Sequence, residues 1–356
     1  MINVARNTNL AATRCRLMSG EDCLERIGML TRGRRWALVT SEQGLLRWKI
    51  NIATSMRPAM PDRTVITDQP NYQNVDEPVQ VIVGFGGGGS IDAAKAFLWK
   101  QNCASKRTRN TRLIAIPTLS GSGSEVTPFA SLWSNGIKSS IEDNSLRPAE
   151  ALMVPDWALG IDPIHALPPA LDALAHALDA IWNVSANACS DRHAFEAARA
   201  LPALIDILAS RRLNGAEQAR LMQASAHAGL AIALTHTALA HSLSYPLTGE
   251  LGLTHGLASS VALPEIAELN MGHAPDRLQV AASAFRCSLH ELPTVLRRIV
   301  RQPGILSRFN FPDPDVLDHL RTNLTASDRA ANNIYPSSEQ EARSLARRAF
   351  TEIRNV

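Results

Sequence analysis

Apolar residues in the first half of the chain fall in short β-rich runs separated by loops and helical stretches. Trp36-Ala-Leu-Val-Thr40, Val79-Gln-Val-Ile-Val83 and Leu113-Ile-Ala-Ile116 read as buried strands. The second runs through glycines into a helical stretch from Ile91 to Trp99. Alternation of strand and helix predicts a mostly parallel sheet. Beyond Pro163 the texture changes. Apolar positions recur with helical period over 170–183, 190–210, 215–243, 257–271 and 275–289, and little resembles a strand. Pro148, Pro155, Gly160, Pro163, Pro168 and Pro169 interrupt regular structure between the halves. The pattern predicts a Rossmann-like α/β domain over residues 1–155 and an all-helical domain over 156–356.

Composition narrows the class. A chain of 356 residues exceeds the usual size of one core, and 45% hydrophobic with 19% charged residues describes a folded protein. The net charge of +3 is small, and Lys and Arg are scattered apart from short clusters at Arg32, Arg34, Arg35 and Lys106, Arg107, Arg109. No dedicated nucleic-acid surface is expected. The five cysteines include no C-x-x-C pair, which indicates neither a disulfide framework nor a zinc knuckle and fits a reducing cytoplasm. Residues 1–20 lack the apolar core of a secretory signal, and no run approaches the ~18 apolar residues of a membrane span.

Two loops have the chemistry to hold a dinucleotide. After Val83 comes Gly84-Phe-Gly-Gly-Gly-Gly-Ser90-Ile-Asp92-Ala-Ala-Lys95, where residues without Cβ let backbone N–H groups approach an anion at the start of a helix. A tight turn between strand and helix would use the same glycines, but open α/β sheets bind ligands at this position. After Ile116 comes Pro117-Thr-Leu-Ser-Gly121-Ser-Gly123-Ser-Glu-Val-Thr127, a loop rich in hydroxyls able to bond phosphate, ribose or amide.

The helical half carries a candidate metal set. Asp172 and His176 stand at i and i+4 on one helix face, with Leu171, Leu174 and Leu178 packing around them. Such a pair is also common without a metal. His241 and His255 lie 14 residues apart, with Pro246 expected to end the first helix soon after His241 and a new helix expected at His255-Gly256. Three imidazoles and a carboxylate suit Fe²⁺ or Zn²⁺ and leave a position for substrate oxygen. His165, His193, His227, His236, His273 and His290 read as surface or packed residues, with His227 and His236 also placed to line a pocket.

Taken in order, these motifs resemble the iron-dependent (group III) alcohol dehydrogenases, relatives of dehydroquinate synthase, from about residue 30 to about 290. The family's glycine motif falls on Gly86, Gly87, Gly88, Asp92 and Lys95, its Ser/Thr/Gly segment on Pro117–Thr127, its D-A-L-x-H-A motif on Asp172–Ala177, and its later ligands on His241 and His255. The resemblance implies a dehydroquinate synthase-like fold and hydride transfer between NAD(P)H and a small aldehyde. It implies Fe²⁺ or Zn²⁺ on Asp172, His176, His241 and His255, and a homodimer. It places the cofactor on Ser41, Asn71, Gly86, Gly87, Gly88, Gly89, Asp92, Thr118, Leu119, Ser122 and Thr127. Departures add detail. Gly89 replaces the family's usual Ser, and Ser41 stands where NAD-preferring members carry Asp, which removes repulsion against a 2′-phosphate and predicts that NADPH is accepted. Tyr245 replaces a family histidine and is the candidate proton relay. Asp179, further along the ligand helix, is a candidate to orient a ligand. The approach from Pro169 to Asp172 is shorter than the family's. The segment Ala177–Asn187 and the run from His241 to Thr248 most resemble the phosphonoacetaldehyde reductase (2-hydroxyethylphosphonate dehydrogenase) branch. A dehydroquinate synthase-like lyase and a non-catalytic nucleotide-binding relative are the alternative readings.

Overall fold

The computed structural model describes residues 15–19, 22–49, 61, 63–67, 78–104, 110–134 and 137–355. The chain divides into two compact units, Met1–Leu159 and Gly160–Val356.

The first unit is an α/β layer structure. Its strands β1 (Arg16–Ser19), β2 (Trp36–Thr40), β3 (Arg63–Ile66), β4 (Val81–Gly86), β5 (Arg112–Pro117) and β8 (Glu150–Met153) form one sheet in the order β1-β8-β5-β4-β2-β3. Every neighbouring pair in it is parallel. Side chains alternate across β2. Trp36 and Leu38 join a core with Phe85, Trp48 and Ile27 on one face, while Ala37 and Val39 pack with Ile82, Ala94 and Phe97 on the other. A parallel sheet covered on both faces needs such apolar strands. A separate antiparallel hairpin pairs β6 (Phe129–Ser134) with β7 (Ile137–Glu142).

Strand order reverses between β2 and β4. From β2 the chain moves outward to β3, through α2 (Glu42–Trp48), and then crosses back to β4. From β4 it moves the other way to β5, through α3 (Gly88–Ala104). The carboxyl ends of β2 and β4 therefore flank a switch point, where such sheets bind ligands. Strand β4 runs three residues past the expected Val83, because Gly84 and Gly86 are paired into the sheet opposite Ala115 and Pro117.

The second unit contains no named strand among its described residues. At its centre lies α4 (Pro163–Ile181), buried throughout 170–181. A helix buried on all sides belongs inside a bundle. Around it are α5 (Ala188–Ser210), α6 (Gly215–Thr235), α7 (Leu239–Gly249), α8 (His255–Ser260) and α10 (Pro275–Phe285), with α9 (Leu263–His273) packed against α10 and α11 (Leu292–Val300), followed by α12 (Pro303–Leu306) and α13 (Glu339–Arg354).

Several expected boundaries are corrected. Pro163, Pro168 and Pro169 lie within α4 rather than before it. Pro163 occupies the first turn, where a missing N–H costs nothing, and the other two forgo bonds only to Ile164 and His165 at the exposed start. Pro246 does not stop the helix after His241, which continues to Gly249. The apolar run 215–243 breaks at 236–238, where α6 ends and α7 begins anew. The run 257–271 likewise divides between α8 and α9.

Candidate metal centre

Helical geometry places Asp172, His176 and Asp179 on one face of α4, at i, i+4 and i+7. Across from them, α7 begins at Leu239, so His241 is already in its first turn. Asp179 takes up this helix end. Its Oδ2 accepts the N–H of Ala238 (2.7 Å) and of His241 (3.3 Å), and its Oδ1 accepts the N–H of Ala240 (3.3 Å) and Nε1–H of Trp182 (3.0 Å). The same carboxylate lies 2.8 Å from Nδ1 of His241. It thereby fixes a buried imidazole with Nε2 pointing away from it.

That Nε2 makes no hydrogen bond, although it is buried and stands 3.4 Å from Oδ1 of Asp172. Nε2 of His176 is 3.9 Å from Oδ2 of Asp172, and the His176 and His241 rings stack at 4.5 Å. Ligand atoms of Asp172, His176 and His241 all lie within 4.8 Å of one another. Two donors of one tetrahedral ion, each bonded at about 2.1 Å, stand roughly 3.4 Å apart. The spacing suits donors around a shared cation.

His255 is placed differently. It opens α8, where Gly256 packs against the backbone of Pro168; a Cβ there would lie 1.8 Å from the Pro168 carbonyl oxygen. This close approach brings His255 Nε2 to 3.8 Å from Oδ1 of Asp172, with its ring edge-on to His241 at 5.6 Å. Its side chain is 30% exposed, and it stands outside the mutual 4.8 Å set. Tyr245, one turn after His241, stacks on His255 with ring centroids 6.2 Å apart.

The charges around His241 favour a cation. Burial opposes a charged ring, but Asp172 and Asp179 push its pKa up to about 9. Burial likewise opposes ionisation of Asp172, yet His176, His255 and His241 hold its carboxyl well below the usual range. Sequence reasoning missed Ser259, whose hydroxyl donates to Oδ1 of Asp172 at 2.9 Å. A serine in an apolar helical run gives no sign of that partner. His193 and His227 pair with each other, Nδ1 to Nδ1, at 3.0 Å.

In the first unit the two predicted loops meet. Thr118 N–H donates to Gly86 O at 2.9 Å, Leu119 lies against Gly87, and a Cβ on Gly88 would fall 2.4 Å from Ser122 Oγ. Gly86, at φ 145°, adopts a conformation that other residues avoid. Helix α3 starts at Gly88, three residues before the expected Ile91, so the N–H groups of Gly88 and Gly89 belong to its open first turn. Ser41 follows β2 beside this turn, with Thr40 paired to Phe85, and its Oγ caps α2 by accepting Gly44 N–H at 3.0 Å.

Asp92 and Thr127 face inward. Asp92 accepts Ser131 N–H at 2.9 Å and the Ser124 hydroxyl. Buried Lys95 donates to Ser124 Oγ (2.9 Å), Thr127 Oγ1 (3.2 Å) and Phe129 O (2.5 Å), tying α3 to the Ser/Gly loop. Burial, against the pull of Asp92 and Glu125, lowers the Lys95 pKa to about 8. Asn71 lies outside the described residues.

Fold and site together define an alcohol dehydrogenase. More particularly, the chain belongs to the iron-containing alcohol dehydrogenase family. Residues 15–155 match the family's iron-containing alcohol dehydrogenase model and residues 168–299 its C-terminal model. A 1-propanol dehydrogenase of Citrobacter freundii is 28% identical over 290 residues, 77% of each chain. A phosphonoacetaldehyde reductase of Streptomyces viridochromogenes is 30% identical over 251 residues, 63% of each chain. Among solved structures, the iron-containing alcohol dehydrogenase of Thermococcus thioreducens shares the fold with TM-score 0.79 at 20% identity, covering 95% of this chain and 99% of that one.

Proposed function

We propose that the protein reduces small aldehydes with NAD(P)H at a divalent metal held by Asp172, His176, His241 and His255. The observation that carries this reading is the buried set of Asp172, His176 and His241, with His241 Nε2 turned toward Asp172 and without a hydrogen bond. Imidazoles and a carboxylate suit Fe²⁺ or Zn²⁺. Bound there, such an ion would act as a Lewis acid toward a carbonyl oxygen.

The chain's own groups do the positioning. Asp179 selects the His241 tautomer whose Nε2 is free to ligate, and Ser259 orients Asp172. Tyr245, stacked on His255, is the proton relay to the product oxygen through its phenol in this reading. In the first unit, the Gly86–Gly89 loop with the open N–H groups of Gly88 and Gly89, together with Thr118, Leu119 and Ser122, forms the pyrophosphate and nicotinamide contacts. Asp92 and Thr127 serve that site from behind, through Lys95 and Ser124. Ser41 offers no carboxylate to repel a 2′-phosphate, so NADPH is accepted. The enzyme is read as a cytoplasmic homodimer.

The preferred substrate is phosphonoacetaldehyde, giving 2-hydroxyethylphosphonate, as the Streptomyces relative's name and the run His241–Thr248 favour. The Citrobacter relative supports a second reading, an uncharged three-carbon aldehyde. A panel of phosphonoacetaldehyde, propanal and other small aldehydes, each with NADH and NADPH and with Fe²⁺ or Zn²⁺ added, separates them. Phosphonoacetaldehyde should give the highest kcat/KM. Faster turnover of propanal would favour the second reading, and no metal-dependent turnover of any aldehyde would overturn both.

A further inference from the structure

The turn that leads into α7 is strained. His236 sits at φ 63°, ψ 178°, a region essentially reserved for glycine. The other non-glycine residue of positive φ among those described, Arg286, is an ordinary left-handed helix cap at φ 56°, ψ 43°. Strain of the His236 kind persists only where surrounding groups over-determine the backbone.

Four side chains do this. Thr235 Oγ1 donates to His236 O at 2.8 Å and Asn183 Nδ2 to the same oxygen at 3.3 Å, Asn332 Nδ2 donates to Thr237 O at 2.8 Å, and Asp179 receives Ala238 N–H. The two asparagines are themselves joined by main chain. Asn183 and Asn333 form an antiparallel bridge, with Val184 N–H on Asn332 O at 2.8 Å and Ile334 N–H on Trp182 O at 3.0 Å. Asn333 and Asn270 exchange amide bonds beneath it, at 3.1 and 2.8 Å. His241 is the third residue of the helix this turn launches, so little chain lies between turn and imidazole to absorb a displacement. Residues 332–334 lie beyond the segment matching the family's C-terminal model, yet they brace one of its histidines.

We propose that Asn332 and Asn183 are positioning residues for the metal centre. They hold the strained turn 236–238 so that His241 enters α7 with Nε2 aimed at Asp172 and His176. This inference rests on the metal reading above. The test is Zn²⁺ affinity, measured by competition with a chromophoric chelator in wild type, Asp172→Asn, Asn332→Ala and Asn332→Asp. The last keeps the side chain's size, loses the donor and sets a negative charge against the Thr237 carbonyl. Both Asn332 variants should bind Zn²⁺ about 10–100-fold more weakly, while the thermal midpoint of the metal-free protein changes little. Adding His236→Gly to Asn332→Ala removes the strain that needs bracing and should restore affinity to within about 3-fold of wild type. Asn332 variants that bind like wild type, in a background where Asp172→Asn abolishes binding, overturn the positioning role alone. A double variant as weak as Asn332→Ala overturns it too. Wild type that takes up no Zn²⁺ at Asp172 overturns both this inference and the metal reading.

Discussion

Nδ1 of His241 donates to the carboxylate of Asp179 across 2.8 Å, and this bond between α7 and α4 decides which ring nitrogen faces Asp172. Asp179 is fully buried and receives backbone N–H groups as well, so it cannot turn away from the ring. Asp179→Asn keeps an acceptor for part of this set but loses the charge that makes Nε2 basic. Metal affinity should fall about 10–100-fold with secondary structure intact. Competition with a chelator measures it, and an unchanged affinity would mean that Asp179 serves only to cap α7.

Helical spacing alone places Asp179 on the face of Asp172 and His176, so its nearness to the site was legible in the sequence. Its partner was not, because His241 arrives from a helix whose start no local signal marks. The run 215–243 has no proline to break it, and the interruption at His236 is imposed by side chains from 179, 183 and 332. Tertiary bonds override propensity there. The long strands of the first unit were readable from their apolar runs. Strand β8, Glu150-Ala-Leu-Met153, was not, since four residues of helical preference become a strand only between β5 and β1.

His255 stands 3.8 Å from Asp172 but outside the mutual set of the other three residues. As a fourth ligand its removal should be felt in binding as well as turnover. His255→Ala should weaken metal retention more than about 100-fold, beyond the effect expected of an orienting group, and activity should fall in step. Elemental analysis after gel filtration reads the first quantity. A fully metallated His255→Ala protein would reduce the assignment to three ligands.

Gly256 lets α8 close on α4. An added Cβ would sit 1.8 Å from Pro168 O and 2.4 Å from its carbonyl carbon, both rigid backbone atoms. Gly256→Ala must push the two helices apart and carry His255 with it. Overpacking of this kind should cost about 3 kcal/mol, with metal affinity falling alongside. Chemical denaturation of the metal-free protein isolates the packing cost, and a loss under about 0.5 kcal/mol would show that the helices separate freely.

Glu125 gives the first unit a pH-dependent stability. Burial pushes its carboxyl up to about 7 from an ordinary 4.5, an effect that the nearby Lys95 only partly offsets. A carboxyl whose folded pKa is raised binds its proton more tightly in the folded chain. Its contribution is therefore fully present below pH 4.5 and is lost as pH rises through 7, amounting to about 3 kcal/mol. Glu125→Gln keeps the shape and removes the titration. The variant should unfold at a higher temperature than wild type at about pH 7.5, and the gap should close by about pH 4, where both side chains are neutral. Comparing midpoints at the two pH values removes any difference in packing between the proteins. A constant gap would place the effect in packing, and wild type more stable than Glu125→Gln only at the higher pH would show that the attraction of Lys95 outweighs burial.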